Sequence, residues 1–136
     1  EEMLAEFFTF IIAGMDTTGH LLALASYYIL RDEKVKNECM KEINSIIKDE
    51  EPESFCVDNL NKLNYLMAIF KETMRLGTPV PGLIDREAQR DFTAGGIEFK
   101  KGTNINIAVI AMNSAAEYHD EPEKFMPERW LDPNSK

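Results

Sequence analysis

From Leu4 to Leu30 the chain carries aromatic and aliphatic residues at almost every helical position, so no side of the segment is consistently polar. Gly14 and Gly19 are its only glycines, and it holds no proline. The pattern predicts one long helix over Glu1–Leu30, buried centrally in the fold. A polar interruption, Ala13-Gly14-Met15-Asp16-Thr17-Thr18, sits in its middle. Glycine in a helix interior costs about 1 kcal/mol relative to alanine, and a buried, unpaired carboxylate is costly or shifts its pKa. Broken local rules inside a consistent segment mark candidate function. An aspartate at mid-membrane costs about 2.5–3.5 kcal/mol. The segment therefore reads as a buried helix of a soluble protein rather than a membrane span.

Beyond it the periodicity becomes one-sided. Arg31-Asp32-Glu33 is a polar break, and Asp32 suits the cap of a second helix over Glu33–Lys48. Val35, Cys39, Ile43, Ile46 and Ile47 form its predicted core face, while Lys34, Lys36, Glu38, Lys41 and Glu42 are expected to face water. An acidic loop follows, Asp49 to Ser54, and Asp58 is expected to cap a short turn ending near Leu63. A third helix is predicted over Asn64–Leu76, its core face Leu66, Ile69, Phe70, Thr73 and Met74, stopped by Gly77 and by the prolines of Thr78-Pro79-Val80-Pro81-Gly82. Phe92–Phe99 reads as strand, turn, strand, and Asn104–Val109 as a half-buried strand. Asn113–Ala116 suits one helical turn, and the proline-rich remainder is expected to pack down through Phe125, Met126 and Trp130. The expected fold is mainly α with a small β-hairpin region.

Composition narrows the function. The chain has 136 residues, 44% hydrophobic and 29% charged, as globular material does. Its net charge of −9 and lack of a basic run argue against nucleic-acid binding. Cys39 and Cys56 show neither metal-ligand nor disulfide spacing and read as reduced thiols.

The interruption suits proton handling. Ala13 and Thr17 are one helical turn apart, and Asp16 borders the same face. Small residues at 13 and 14 let something flat approach the backbone. A threonine hydroxyl that bonds back to the carbonyl four residues earlier loosens or bends the helix. The result is a notch with a hydroxyl at its edge and a carboxylate behind it, suited to proton relay. A capping signal, or a buried aspartate satisfied by a basic partner, is the alternative. Glu72 and Arg75 are a turn apart on the third helix, a common surface pairing worth about 0.2–0.5 kcal/mol. If Arg129 of Pro127-Glu128-Arg129-Trp130 folds back onto Glu72, the pair becomes a charge-assisted network that pins the tail.

Three motifs in fixed order resemble the cytochromes P450, the haem-thiolate monooxygenases. Ala13 to Thr18 is similar to the family's oxygen-activation motif, Glu72-Thr73-Met74-Arg75 to its E-x-x-R helix, and Phe125-Met126-Pro127-Glu128-Arg129-Trp130 to its F-x-P-E-R-F/W segment. Gly96–Thr103 resembles the family's G-x-x-I-P-x-G-T hairpin, departing from it at Phe99 and Lys100. The resemblance implies that Thr17 steadies dioxygen and that Asp16 feeds it protons. Ala13, Gly14 and Arg86 would contact the cofactor, haem b, with Arg86 at a propionate. Glu72, Arg75 and Arg129 would form a structural ion network. Thr9, Ile12, Val80 and Pro81 would line the substrate pocket.

The family's iron-ligand cysteine lies in a glycine-flanked loop after the P-E-R segment, a loop this sequence does not contain, so no metal ligand is assigned. The expectation is a partial domain over 1–136, an internal fragment incomplete at both ends and inactive alone. The parent reaction implied is insertion of one oxygen atom from dioxygen into an organic, apolar substrate, with electrons from NAD(P)H through a reductase. In some members an amino-terminal anchor, which would precede Glu1, attaches the protein to the endoplasmic reticulum membrane. Two alternatives stay open: a parent that rearranges or dehydrates a peroxide, and a non-catalytic remnant or interaction module.

Overall fold

A computed structural model of the protein describes residues 2–48, 51–82 and 85–133. Glu1 of the predicted first helix, and Asp49 and Glu50 of the acidic loop, lie outside the described residues. Helix α1 spans Glu2–Arg31 and α2 spans Glu33–Ile46. Asp32 alone separates them, and its Oδ1 accepts from the amides of Lys34 (2.8 Å) and Val35 (3.3 Å). It is thus the N-cap of α2, stopping one helix and starting the next. A 3₁₀ turn, Pro52–Ser54, and the short α3, Val57–Leu60, lead to α4, Asn64–Leu76.

Ala25, Val35, Cys39, Tyr65 and Ile69 form the core where α1, α2 and α4 meet, with Ile29, Ile43, Leu66, Phe70 and Phe125 packed around them. Tyr28 and Phe125 stack with ring centroids 4.2 Å apart. Gly77 ends α4 and lets α1 come close. A Cβ built there would lie 2.4 Å from Leu24 Cδ1.

After α4 come two antiparallel pairs, one nested in the other. Strand β1 (Asp85–Glu87) pairs with β4 (Asn104–Asn106), with Arg86 opposite Ile105. Between them β2 (Phe92–Ala94) pairs with β3 (Ile97–Phe99). Gly95 and Gly96, at φ +57 and +79, make the two-residue turn, a conformation that favours glycine at both places. Phe92 and Phe99 stack across that hairpin at 4.9 Å. Helix α5 (Val109–Asn113) and a 3₁₀ turn, Pro127–Trp130, complete the described chain.

Several expectations are corrected. Within this chain the first helix is largely uncovered rather than buried: Ala25 is its one buried residue among those described, while Phe7, Phe8, Ile12 and Met15 are exposed. The reason is length. At 1.5 Å per residue α1 runs about 45 Å, whereas α2 and α4 run about 20 Å each, so they cover only its C-terminal part. By length and composition alone α1 is long and apolar enough to cross a membrane.

Glu42 does not simply face water, because its carboxylate accepts the backbone amides of Tyr65 and Leu66. Met74 is 40% exposed, and the buried face of α4 turns instead through Tyr65, Ala68, Ile69, Glu72, Thr73 and Arg75. Asp58 does not cap α3, whose N-cap is Cys56 without a side-chain bond; Asp58 lies in the first turn. The strand expected over Asn104–Val109 ends at Asn106, and the helical turn expected from Asn113 ends there instead. Ile107 to Met112 is a short apolar run, which periodicity cannot assign to strand or helix.

Candidate functional site

A carboxylate buried without counter-charge would not stay ionised, and Glu72 of α4 is completely buried. Its neighbours resolve the conflict. Oε1 accepts from Arg75 Nη2 (2.8 Å), the Met126 amide (2.9 Å) and Arg129 Nε (3.1 Å). Oε2 accepts from Arg75 Nε and from the Trp130 indole Nε1, both at 2.9 Å. Burial pushes the Glu72 carboxyl up, but the hydrogen bonds from Arg75, Met126 and Trp130, with the Arg75 charge, hold it below the ordinary glutamate value.

Arg75 is equally engaged. Its Nη1 donates to the carbonyls of Asn113 (2.8 Å) and Pro122 (2.7 Å), and its Nη2 also to that of Lys124 (3.1 Å). Asn113 Nδ2 donates back to the Arg75 carbonyl at 3.2 Å. One guanidinium therefore ties α4 to the end of α5 and to the irregular segment after it. Among the described residues no buried side-chain polar atom lacks a partner.

The predicted trio Glu72, Arg75 and Arg129 thus meets on one carboxylate. The sequence pattern marks Trp130 only as an apolar anchor, yet its indole N–H is a further donor. The Met126 amide and the three carbonyls were missed, since main-chain groups carry no residue signature. Beside this cluster Glu128 bonds Lys34 Nζ at 2.8 Å and accepts from the Tyr65 hydroxyl at 3.4 Å. Burial, then the Glu128 charge, pushes the Tyr65 phenol well up.

The second group lies on α1. Thr17 Oγ1 donates to the Ala13 carbonyl at 2.6 Å. Thr9 and Ser26 bond back in the same way, and the helix continues through all three sites. Thr17 is half-buried; Ala13, Gly14 and Asp16 are exposed. A Cβ at Gly14 would meet nothing within 4 Å, so the backbone is open there. Thr9 and Ile12 sit exposed on the same helix. Val80 and Pro81 are exposed in the turn after α4. Arg86 is exposed on β1, where its Nη1 donates to the Asp85 carbonyl at 2.9 Å.

Cys39 is 2% exposed within the α1–α2–α4 core, and burial raises its thiol pKa, then the Glu42 charge. Neither a thiolate nor access is on offer there. Cys56 is exposed at the start of α3. Among the described residues no group of three or more His, Cys, Asp or Glu is placed to hold a metal ion.

A mainly helical chain with small antiparallel pairs, an exposed Asp16 next to a half-buried Thr17 on its longest helix and a glutamate closed by two arginines defines a narrow class. The cytochrome P450 family model matches residues 1–136, and the chain belongs to that family. It is 37% identical to cytochrome P450 71A8 of Mentha piperita over 119 residues, 88% of this chain and 23% of that protein. It is 35% identical to cytochrome P450 monooxygenase cloA of Claviceps purpurea over 136 residues, 97% of this chain and 26% of that one. A zebrafish cytochrome P450 solved with progesterone superposes with a TM-score of 0.81 at 28% identity, covering 90% of this chain and 28% of that chain. The chain thus spans about a quarter of the length of these relatives.

Proposed function

We propose that this chain supplies the dioxygen-side helix and the structural ion network of a haem-thiolate monooxygenase. That enzyme inserts one oxygen atom of dioxygen into an organic, apolar substrate, with electrons from NAD(P)H through a reductase. The observation that carries the reading is the Asp16–Thr17 pair, exposed and half-buried, beside the open backbone of Gly14 on α1.

These residues fit a haem on one face. The exposed small-residue stretch Ala13-Gly14 leaves room for a flat macrocycle, and the Arg86 guanidinium suits a propionate. Cys39 does not fit as a ligand to the iron, because it is sealed in the core. When bound, the haem supplies the redox chemistry, and the protein supplies positioning and protons.

Thr17 has its hydroxyl proton committed to the Ala13 carbonyl, so the oxygen's remaining lone pairs accept. It therefore steadies a group that carries a proton, rather than giving up its own. Asp16, exposed one residue earlier, exchanges protons with water and passes them toward that point. Glu72, Arg75 and Arg129 touch no reacting atom in this reading; they hold α4 and the Pro127–Trp130 turn as one body.

The test is Thr17→Ala in the full-length protein. Electron consumption is expected to continue while product per electron falls, with haem content unchanged; unaltered coupling would count against the relay. Two competitors keep a place. A peroxide-rearranging enzyme needs no proton relay, so the Asp16–Thr17 pair speaks against it. A non-catalytic remnant would bind no haem, and the reduced, carbon monoxide-treated full-length protein would lack the thiolate-ligated absorption band.

A further inference from the structure

Helix α4 carries Glu72 and Arg75, yet its own sequence does not cap it. The residue at its N-cap, Leu63, is 6% exposed and has no side-chain oxygen. The first amides of a helix need partners from outside it. Here Asn64 N–H goes to the Lys62 carbonyl (2.9 Å) and Met67 N–H to that of Leu63 (3.0 Å). The two between them go to another helix: Tyr65 N–H to Glu42 Oε1 (2.8 Å) and Leu66 N–H to Glu42 Oε2 (3.0 Å). Those are the second and third helical amides, the pair that an aspartate or serine at 63 would have taken. Leu63 is committed to burial, and α2 provides the acceptor instead.

We propose that Glu42 is a positioning residue for the Glu72–Arg75–Arg129 network, acting as the N-cap of α4 from the neighbouring helix α2. Its charge stands at the positive end of the α4 dipole. Its base is firm, because Cys39 and Val35, on the same face of α2, lie in the core with Tyr65 and Ile69. Fixing Tyr65 and Leu66 fixes the axial position of everything downstream on α4. Glu72 follows Tyr65 by about two turns at 3.6 residues per turn. A small axial slip there would break the match between Glu72 and donors it meets from distant chain, the Met126 amide and Trp130 indole. These hydrogen bonds and the packing of α2 on α4 do not depend on the haem reading.

Hydrogen exchange on the full-length protein tests it, comparing Glu42→Ala, Glu42→Gln and Glu38→Ala. Glu38 is half a side chain exposed and pairs only loosely with Lys41, at 3.7 Å, so it serves as the control. Glu42→Ala is expected to speed exchange at Tyr65 and Leu66 about fivefold or more, the equivalent of a lost cap. The Met126 amide, which Glu42 does not touch, is expected to speed up with them. Glu42→Gln keeps one acceptor oxygen and is expected to fall between, which also covers the case of an alanine variant too unstable to study. Unchanged exchange at Tyr65 and Leu66 would refute the cap. Faster exchange there with Met126 unaffected would refute the positioning role, leaving a local cap only. A Glu38→Ala effect equal to that of Glu42→Ala would refute both. None of these readouts needs activity or bound haem, so they stand apart from the test of Thr17.

Discussion

Glu72 concentrates several donors on one carboxylate, and that fixes how the protein should respond to acid and to substitution. Its pKa in the fold lies below the ordinary value of 4.5. A group depressed by folding contributes stability that is present in full above its unfolded pKa and is lost as pH falls through the folded one. Stability of the wild type is therefore expected to decline below about pH 4.5 more steeply than that of Glu72→Gln, which has no proton to take up there. Urea midpoints measured across that range check it; parallel curves would mean that Glu72 is not the titrating group. Removing Arg129 takes away one of two cations while Arg75 stays on the Glu72 carboxylate, so the cost should fall at the low end of about 3–5 kcal/mol. Trp130→Phe deletes only one hydrogen bond to the same carboxylate and should cost about 1.5–3 kcal/mol. In the full-length protein Arg129→Ala is expected to lower the yield of haem-loaded material more than Trp130→Phe does, read from haem absorbance per protein. At the other group, Thr17→Ala is expected to leave stability within about 0.7 kcal/mol of the parent, because alanine's helix propensity offsets the lost back-bond. That makes it a clean functional probe.

At the scale of elements, the fit of α1 against the end of α4 is set by what is missing at Gly77. Its φ of −130 is open to any residue, so only space restricts it. Alanine there would press on Leu24 Cδ1, at 2.4 Å. Leu24 Cδ1 is the free end of a flexible, half-buried side chain that can shift, so Gly77→Ala is expected to cost no more than about 1 kcal/mol, and less in a Leu24→Ala background; additive losses in the double variant would show that the two do not meet. The sequence marked Gly77 only as a helix stop. That it is also a packing site depends on which helix crosses it, which local pattern does not record. Helix ends with a polar signature were legible: Asp32 caps α2 as its type and place suggest. The cap of α4 was not, because Glu42 lies more than twenty residues away in sequence and looks like any charged residue on a solvated face. The same limit explains the strand expected through Val109, where an apolar run without alternation became α5.

In the whole molecule, burial gathers at one end. The core joins the C-terminal part of α1 to α2 and α4, and the network at Glu72 joins α4 to the Pro127–Trp130 turn. The apolar stripe of Leu4, Phe8, Ile11 and Met15 stays exposed. Exposed apolar surface of that extent favours association. The 136-residue chain studied alone is expected to self-associate despite its net charge of −9, and Phe8→Glu with Ile11→Glu is expected to reduce this. Sedimentation velocity decides, and a monomer at tens of micromolar would contradict it.

The mainly helical class, the order of the helices and the family followed from sequence alone, because helical periodicity, caps and short motifs are local and survive without tertiary contacts. The meeting of Glu72 with Arg75 across one turn is local in the same sense. The closure of that carboxylate by Met126, Arg129 and Trp130, which lie 54, 57 and 58 residues further on, was decided only by the folded path of the chain. So was the capping of α4 by Glu42. In each case the partner is a main-chain amide or an ordinary side chain, and what makes it a partner is where packing puts it.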